Sequence, residues 1–218
     1  MARQKMKGSL VYEILIVILT ILLVGTILYP KSVWQKIDRD TMLCRDQMMR
    51  WSDAELLYLQ GSEEANYDSS LVKVLNFVRY DSIWVTDSTL ATLRDSFYVN
   101  VVRDFFRDYK DMATKPAMDS AFRLVEGKAD SIHGPILTAI LDTMFSLMYT
   151  CPTVKDTYLV SIIDTTAVKK IKISCPMTPE QVDSINSNFW FHVIGGGKVE
   201  NHGYVENGEP SWKEAKRK

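Results

Sequence analysis

The chain has 218 residues, 46% hydrophobic and 24% charged, with 26 basic side chains against 27 acidic ones and a net charge of −1. That length and apolar content hold one ordinary domain core beside a separate N-terminal apolar run. Lys and Arg cluster only at the two ends, which excludes an extended basic surface and leaves no nucleic-acid partner to be expected.

Residues 9–29 read SLVYEILIVILTILLVGTILY, with one charged side chain in twenty-one. As a helix this run spans about 31 Å at about 1.5 Å per residue, the thickness of bilayer hydrocarbon. Arg3, Lys5 and Lys7 precede it with no acidic residue among the first eight. The N-terminus is therefore expected in the cytoplasm, and the residues after Pro30 outside. A secretory signal has only about 7–15 apolar residues before a small-x-small cleavage site, and residues 24–30 offer no Ala-x-Ala. An exported domain exposes its cysteines to an oxidising compartment, where pairs become disulfides.

The apolar run continues into an amphipathic stretch over residues 30–60. There Val33, Ile37, Cys44, Met48, Trp51 and Leu59 recur at helical spacings, and Gly61-Ser62 is a stop signal. Trp34, just beyond the apolar run, sits where interfacial aromatics anchor. A short helix is predicted over residues 68–80, with an Asp68 cap and apolar Leu71, Val74, Leu75 and Val78; a strand is the alternative. Residues 87–110 predict a second helix carrying Leu90, Leu93, Phe97, Val101, Phe105 and Tyr109 behind an Asp or Ser cap. Residues 111–134, broken by Pro116, Gly127 and Gly134, predict no regular element. Pro135 opens a third helix through ILTAILDTMFSLMY.

Beyond Cys151 the character changes. TYLVSII and VKKIKIS are β-branched runs joined by residues 164–167, which is a hairpin signal. FWFHVI, GKVE and GYVE are further strand candidates, with residues 195–197 and the Asn207-Gly208 pair as turns. The chain thus reads as an α+β protein: a long N-terminal helix with a membrane-spanning half and an amphipathic half, a helical region over 61–150, and a small antiparallel sheet over 151–218.

Cys151-Pro152 and Cys175-Pro176 flank the hairpin, so its strands bring both cysteines to one end of the sheet. A disulfide closing the 23 intervening residues would contribute about 3 kcal/mol. A metal is the alternative, but two cysteines with no matched second pair are too few for a tetrahedral set, and no metal or cofactor is expected. Cys44 reads as a small buried apolar residue. His133, His192 and His202 read as structural or surface residues, because no HExxH, CxxC or ligand-spaced cluster exists. The sequence has no GxSxG elbow, residues 195–197 lack the ending of a phosphate loop, and Asp142, Asp164 and Asp183 stand in no DxDxDG loop. No catalytic residue is expected.

Glu13 is the exception within the apolar run. A carboxylate in hydrocarbon costs about 2.5–3.5 kcal/mol on insertion scales and calls for a cation; cleavage after Gly8 would supply the α-amino group of Ser9. Here the sequence resembles the type IV pilins and the pseudopilins of type II secretion. The matching features are the basic leader MARQKMKG ending in Gly8, Glu13 fifth from Ser9, an apolar helix of about twenty residues, and Pro30 twenty-second from Ser9.

The resemblance implies a pilin-like fold, prepilin-peptidase processing between Gly8 and Ser9 with methylation of the new terminus, and residence in the bacterial inner membrane with a periplasmic domain. It also implies assembly through Glu13 and Pro30 with other subunits, driven by a platform and an ATPase, into a pilus or pseudopilus. As a helix breaker, Pro30 would bend the helix as it leaves the membrane or begin an extramembrane segment. The alternative function is an uncleaved, single-pass anchored adaptor that never polymerises; an anchored hydrolase lacks a recognisable nucleophile and base.

Overall fold

In the computed structural model, residues 9–128, 132–164, 169–188 and 198–212 are described. Contacts divide the chain into two compact units, Asp40–Thr178 with Asn201–Lys218, and Met1–Arg39 with Pro179–Glu200. The architecture is α+β, with a long N-terminal helix, a helical middle and a small antiparallel sheet.

Helix α1 runs unbroken over Ser9–Gly61, 53 residues. It continues through Pro30 rather than ending there. Proline leaves one carbonyl of the preceding turn without a donor, and on either side the Thr26 and Ser32 hydroxyls bond back to Leu23 O and Tyr29 O, both at 2.8 Å. Apart from Glu13 and two threonines its first half is apolar over residues 12–29, and it is exposed from Tyr12 and Ile14 to Leu28 and Tyr29. The second half narrows to a stripe, in which Cys44, Met48, Trp51 and Ala54 are completely buried. Val33, Ile37 and Leu59, expected in that stripe, are only half-buried, and Leu57 and Tyr58 continue it instead.

Within the larger unit, α2 (Leu71–Tyr80) buries Leu71, Val74, Leu75 and Val78, so the strand alternative fails. Its N-cap is Ser70, whose side chain accepts from Lys73 N, while Asp68 accepts from Ser70 N at 2.8 Å. A single turn, α3 (Ile83–Thr86), precedes α4 (Ser88–Asp108). Asp87 caps α4 by accepting from the amides of Thr89 and Leu90, and Phe97, Val101 and Phe105 face the core. Leu93, expected beside them, is exposed.

Residues 115–125, predicted to lack regular structure, form α5 (Lys115–Val125), with a proline in its first turn and Gly127 at φ +69 just beyond its end. Proline fits the first turn because no helical donor is lost there. Helix α6 (Pro135–Leu147) follows as predicted and buries Leu137, Ile140, Leu141, Met144 and Phe145. Helix α4 packs against α3, α5 and α6.

Strands β1 (Leu159–Asp164) and β2 (Lys169–Ser174) form the predicted hairpin, in register Val160↔Ile173 and Ile162↔Ile171. Strand β3 (Tyr204–Glu206) pairs with β2, and β4 (Glu209–Pro210) with β3, giving one antiparallel sheet in chain order. Alternation puts Ile171, Ile173 and Val205 on the buried face. Asn207 and Gly208 both have positive φ, +49 and +83, the geometry of a two-residue hairpin turn. Asn207 also bonds Ile171 through its backbone N–H and its side-chain oxygen.

In the smaller unit, α7 (Pro179–Asn186) is a helix the sequence did not predict. The expected strand over residues 197–200 is absent from the described part, 198–200. The Asn186 side chain explains this, donating to Val199 O at 2.9 Å and accepting from Val199 N at 2.8 Å, where a neighbouring strand would have bonded. The candidate strand FWFHVI lies outside the described residues.

Candidate functional site

Four chemically soft side chains meet inside the larger unit. Cys44 comes from the buried stripe of α1, placed there by helical periodicity. Cys151 opens a tight turn after α6, in which Cys151 N donates to Asp156 O and Lys155 N donates back to Cys151 O, each at 2.9 Å. Lys155 stands at φ +62 to close that turn. Cys175 directly follows β2, its amide donating to Gly203 O at 3.0 Å, and His202 directly precedes Gly203 and β3. The sheet register thus sets Cys175 beside His202, and the turn brings Cys151 to the same end.

The sulfurs of Cys151 and Cys175 are 3.9 Å apart. His202 Nδ1 lies 3.8 Å from Cys151 Sγ and 3.6 Å from Cys175 Sγ. With Cys44 Sγ included, the four atoms all lie within 4.8 Å of one another. Cys44 and Cys151 have no exposed surface, and Cys175 and His202 are 3% and 1% exposed. Hydrogen bonds from Cys175 and then from Cys44, His202 and the backbone N–H of Val154 hold the Cys151 thiol far below its ordinary range. The bond with Cys151 pushes the Cys44 thiol far above it. Burial alone would lower the pKa of His202, but its contacts with Cys151 and Cys175 outweigh that and raise it to about 9. The cluster therefore favours negative charge on the Cys151 sulfur and positive charge on His202 beside it.

The surroundings fix each member. Arg45 Nε donates to His202 O at 3.1 Å, and the Arg45 guanidinium lies 5.1 Å from the centre of the Trp212 ring. Gly203 has φ +97, and a Cβ there would fall 2.5 Å from Ser211 Oγ and 3.0 Å from Trp212; the residue after His202 must be glycine. One turn along α1 from Cys44, Gln47 donates to Leu147 O at 3.1 Å and accepts from the Tyr158 hydroxyl at 2.6 Å. Trp51 Nε1 donates to Met148 O at 2.6 Å.

No family model matches this chain, and no curated protein or solved structure matches it either.

The residues singled out from sequence fall in different places. Cys151 and Cys175 are neighbours, as the hairpin predicts, but their sulfurs are not bonded to each other and the expected disulfide is not formed. Cys44 is buried as expected, yet it faces two other thiols rather than apolar neighbours alone. His202, read as structural or surface, is the fourth member. His133 is half-exposed with Nε2 3.4 Å from Asp95 Oδ1, and His192 lies outside the described residues. Asp142 pairs with Arg79. Ser9, Glu13 and Pro30 all lie in the part of α1 that belongs to the smaller unit, and Gly8 lies outside the described residues.

Spacings of 107, 24 and 27 residues between successive cluster members match no local ligand motif, so the cluster is invisible to a scan for short patterns. The repeated Cys-Pro at residues 151–152 and 175–176 is the one local signal, and it marks two of the four.

Proposed function

We propose that this chain is a structural, non-catalytic subunit of the pilin and pseudopilin class, anchored and assembled through α1. The observation that carries the reading is that one continuous helix joins an exposed, predominantly apolar half to a half that forms part of a packed core. By length and composition the first half is able to cross a membrane. A helix of this kind can serve as membrane anchor before assembly and as a lateral packing surface afterwards, since apolar side chains exposed all round need either lipid or neighbouring helices.

In this reading prepilin peptidase cuts between Gly8 and Ser9, the new terminus is methylated, and Glu13 meets the Ser9 amine of an adjacent subunit. Pro30 loosens the helix where it leaves the bilayer. The domain is periplasmic, the anchor lies in the bacterial inner membrane, and a platform with its ATPase draws subunits into a pilus or a secretion pseudopilus. The helix-rich domain suits a minor or specialised subunit.

The test is the N-terminal residue of the protein recovered from membranes, read by intact mass and terminal sequencing. A chain beginning at Ser9, with or without an added methyl group, is the expected outcome. A chain that retains residues 1–8 overturns the reading in favour of an anchored adaptor.

A further inference from the structure

We propose that Cys44, Cys151, Cys175 and His202 form a closed, tetrahedral site for one structural zinc ion. The inference concerns the larger unit alone and stands whether or not the chain assembles into a filament.

Geometry comes first. A tetrahedral zinc with Zn–S of about 2.3 Å and Zn–N of about 2.0 Å has S···S edges of about 3.8 Å and S···N edges of about 3.5 Å. The cluster presents one S···S edge of 3.9 Å and two S···N edges of 3.8 and 3.6 Å. Two thiols awaiting a disulfide would need no imidazole nitrogen turned toward both, and a small apolar Cys44 would have no reason to share their space.

Chemistry comes second. Three thiols and an imidazole are a common structural zinc set, in which soft sulfur selects against magnesium and calcium. All four donors are buried, and together they complete the tetrahedron, leaving no position for a substrate or reactive water. A structural role follows rather than a catalytic one. Binding requires three thiolates and a neutral imidazole, so every proton still held by the thiols and the one held by the His202 imidazolium leave to solvent, and His202 binds through Nδ1. The complex then carries one net negative charge in the interior. The Val154 amide bonded to Cys151 Sγ offsets part of it, because an N–H donated to a thiolate ligand orients and stabilises it.

Connectivity comes third. The donors derive from α1, the turn after α6, the end of β2 and the approach to β3, so one ion would fasten the helix to the sheet. A bound ion would also hold three cysteines reduced in a compartment that oxidises free thiols.

The experiment uses the full-length chain purified from membranes in detergent, without added metal or chelator. Elemental analysis is expected to find one zinc per chain that survives gel filtration. Exchange for Co2+ is expected to give the charge-transfer and ligand-field bands of a tetrahedral thiolate site. After chelation and denaturation without reductant, all three cysteines should be alkylated. Cys44→Ser and His202→Gln should abolish zinc retention. His202→Cys should keep the zinc and move the Co2+ bands toward a four-thiolate spectrum, which shows that the loss in the other variants is not a folding failure. A metal-free chain, whether its thiols are free or Cys151 and Cys175 are disulfide-bonded, overturns the proposal. So does zinc held undiminished by Cys44→Ser.

Discussion

Glu55 lies fully buried on α1, accepting one long bond of 3.4 Å from Asp68 N while its other oxygen has no hydrogen-bond partner. Burial pushes its pKa up from 4.5 to about 8. The folded state therefore holds a proton that the unfolded chain releases above about pH 4.5. Stability from this group is complete below that pH, declines as the pH rises, and is lost above about pH 8, with a slope of up to about 1.4 kcal/mol per pH unit. Glu55→Gln keeps the shape without the titration, so its urea midpoint should vary less between pH 5 and 8 and exceed the parent's at pH 8. A parallel pH dependence in both proteins would contradict this. Glu55 and Cys44 share a reason for escaping a sequence reading. A carboxyl or a thiol on the apolar side of a helix takes its meaning from what lies across the core, and those partners are fixed by tertiary packing far along the chain.

Among the elements, α1 and α4 are joined by a charged clamp. Arg50 Nε meets Asp104 Oδ2 at 2.7 Å, and Arg107 reaches Asp104 at 3.2 Å and Asp46 at 2.6 Å. Asp104 is the buried member, 5% exposed. Removing it takes the shared buried carboxylate from two guanidinium groups, leaving Arg50 with Asp53 and Arg107 with Asp46 and Asp108, and Asp104→Ala should cost about 2–3 kcal/mol of unfolding free energy. Arg107→Ala, whose side chain is a third exposed, should cost about 1 kcal/mol or less. Equal losses in chemical denaturation would show that burial does not set the scale. Helices α2, α4 and α6 and the β1–β2 hairpin were legible because each repeats apolar residues at its own period and carries its caps or turns. Helices α5 and α7 were not: α5 buries only Ala121 and α7 buries no residue. Both are short and lie among residues that read as breakers, Pro116 and Gly127 for α5 and Pro179 for α7, which mask the helical spacing. The strand candidate over residues 197–200 was over-read, because Val199 is satisfied by the Asn186 side-chain amide rather than by a neighbouring strand.

For the whole molecule, the proposed assembly makes Glu13 dispensable for insertion and needed for polymerisation. Glu13→Ala should leave the amount of membrane-bound protein unchanged. Protein in sheared filaments should fall about tenfold or more, a factor equivalent to about 1.4 kcal/mol of subunit binding. Immunoblots of the two fractions measure both, and unchanged filament content would count against the assembly reading. The continuity of α1 also bears on biogenesis. Its core-facing half leaves the ribosome early, but its hydrogen-bond partners arrive late: Gln47 waits for Leu147 and Tyr158, Trp51 for Met148, and Arg45 for His202, at separations of 100, 111, 97 and 157 residues. Closing loops of that length is slow, so until those partners have emerged the nascent chain presents Met48, Trp51 and Cys44 without their full cover. During that interval holdase chaperones would find their target, and a stalled or truncated translation product would be recognisable to proteases by its N-terminal half.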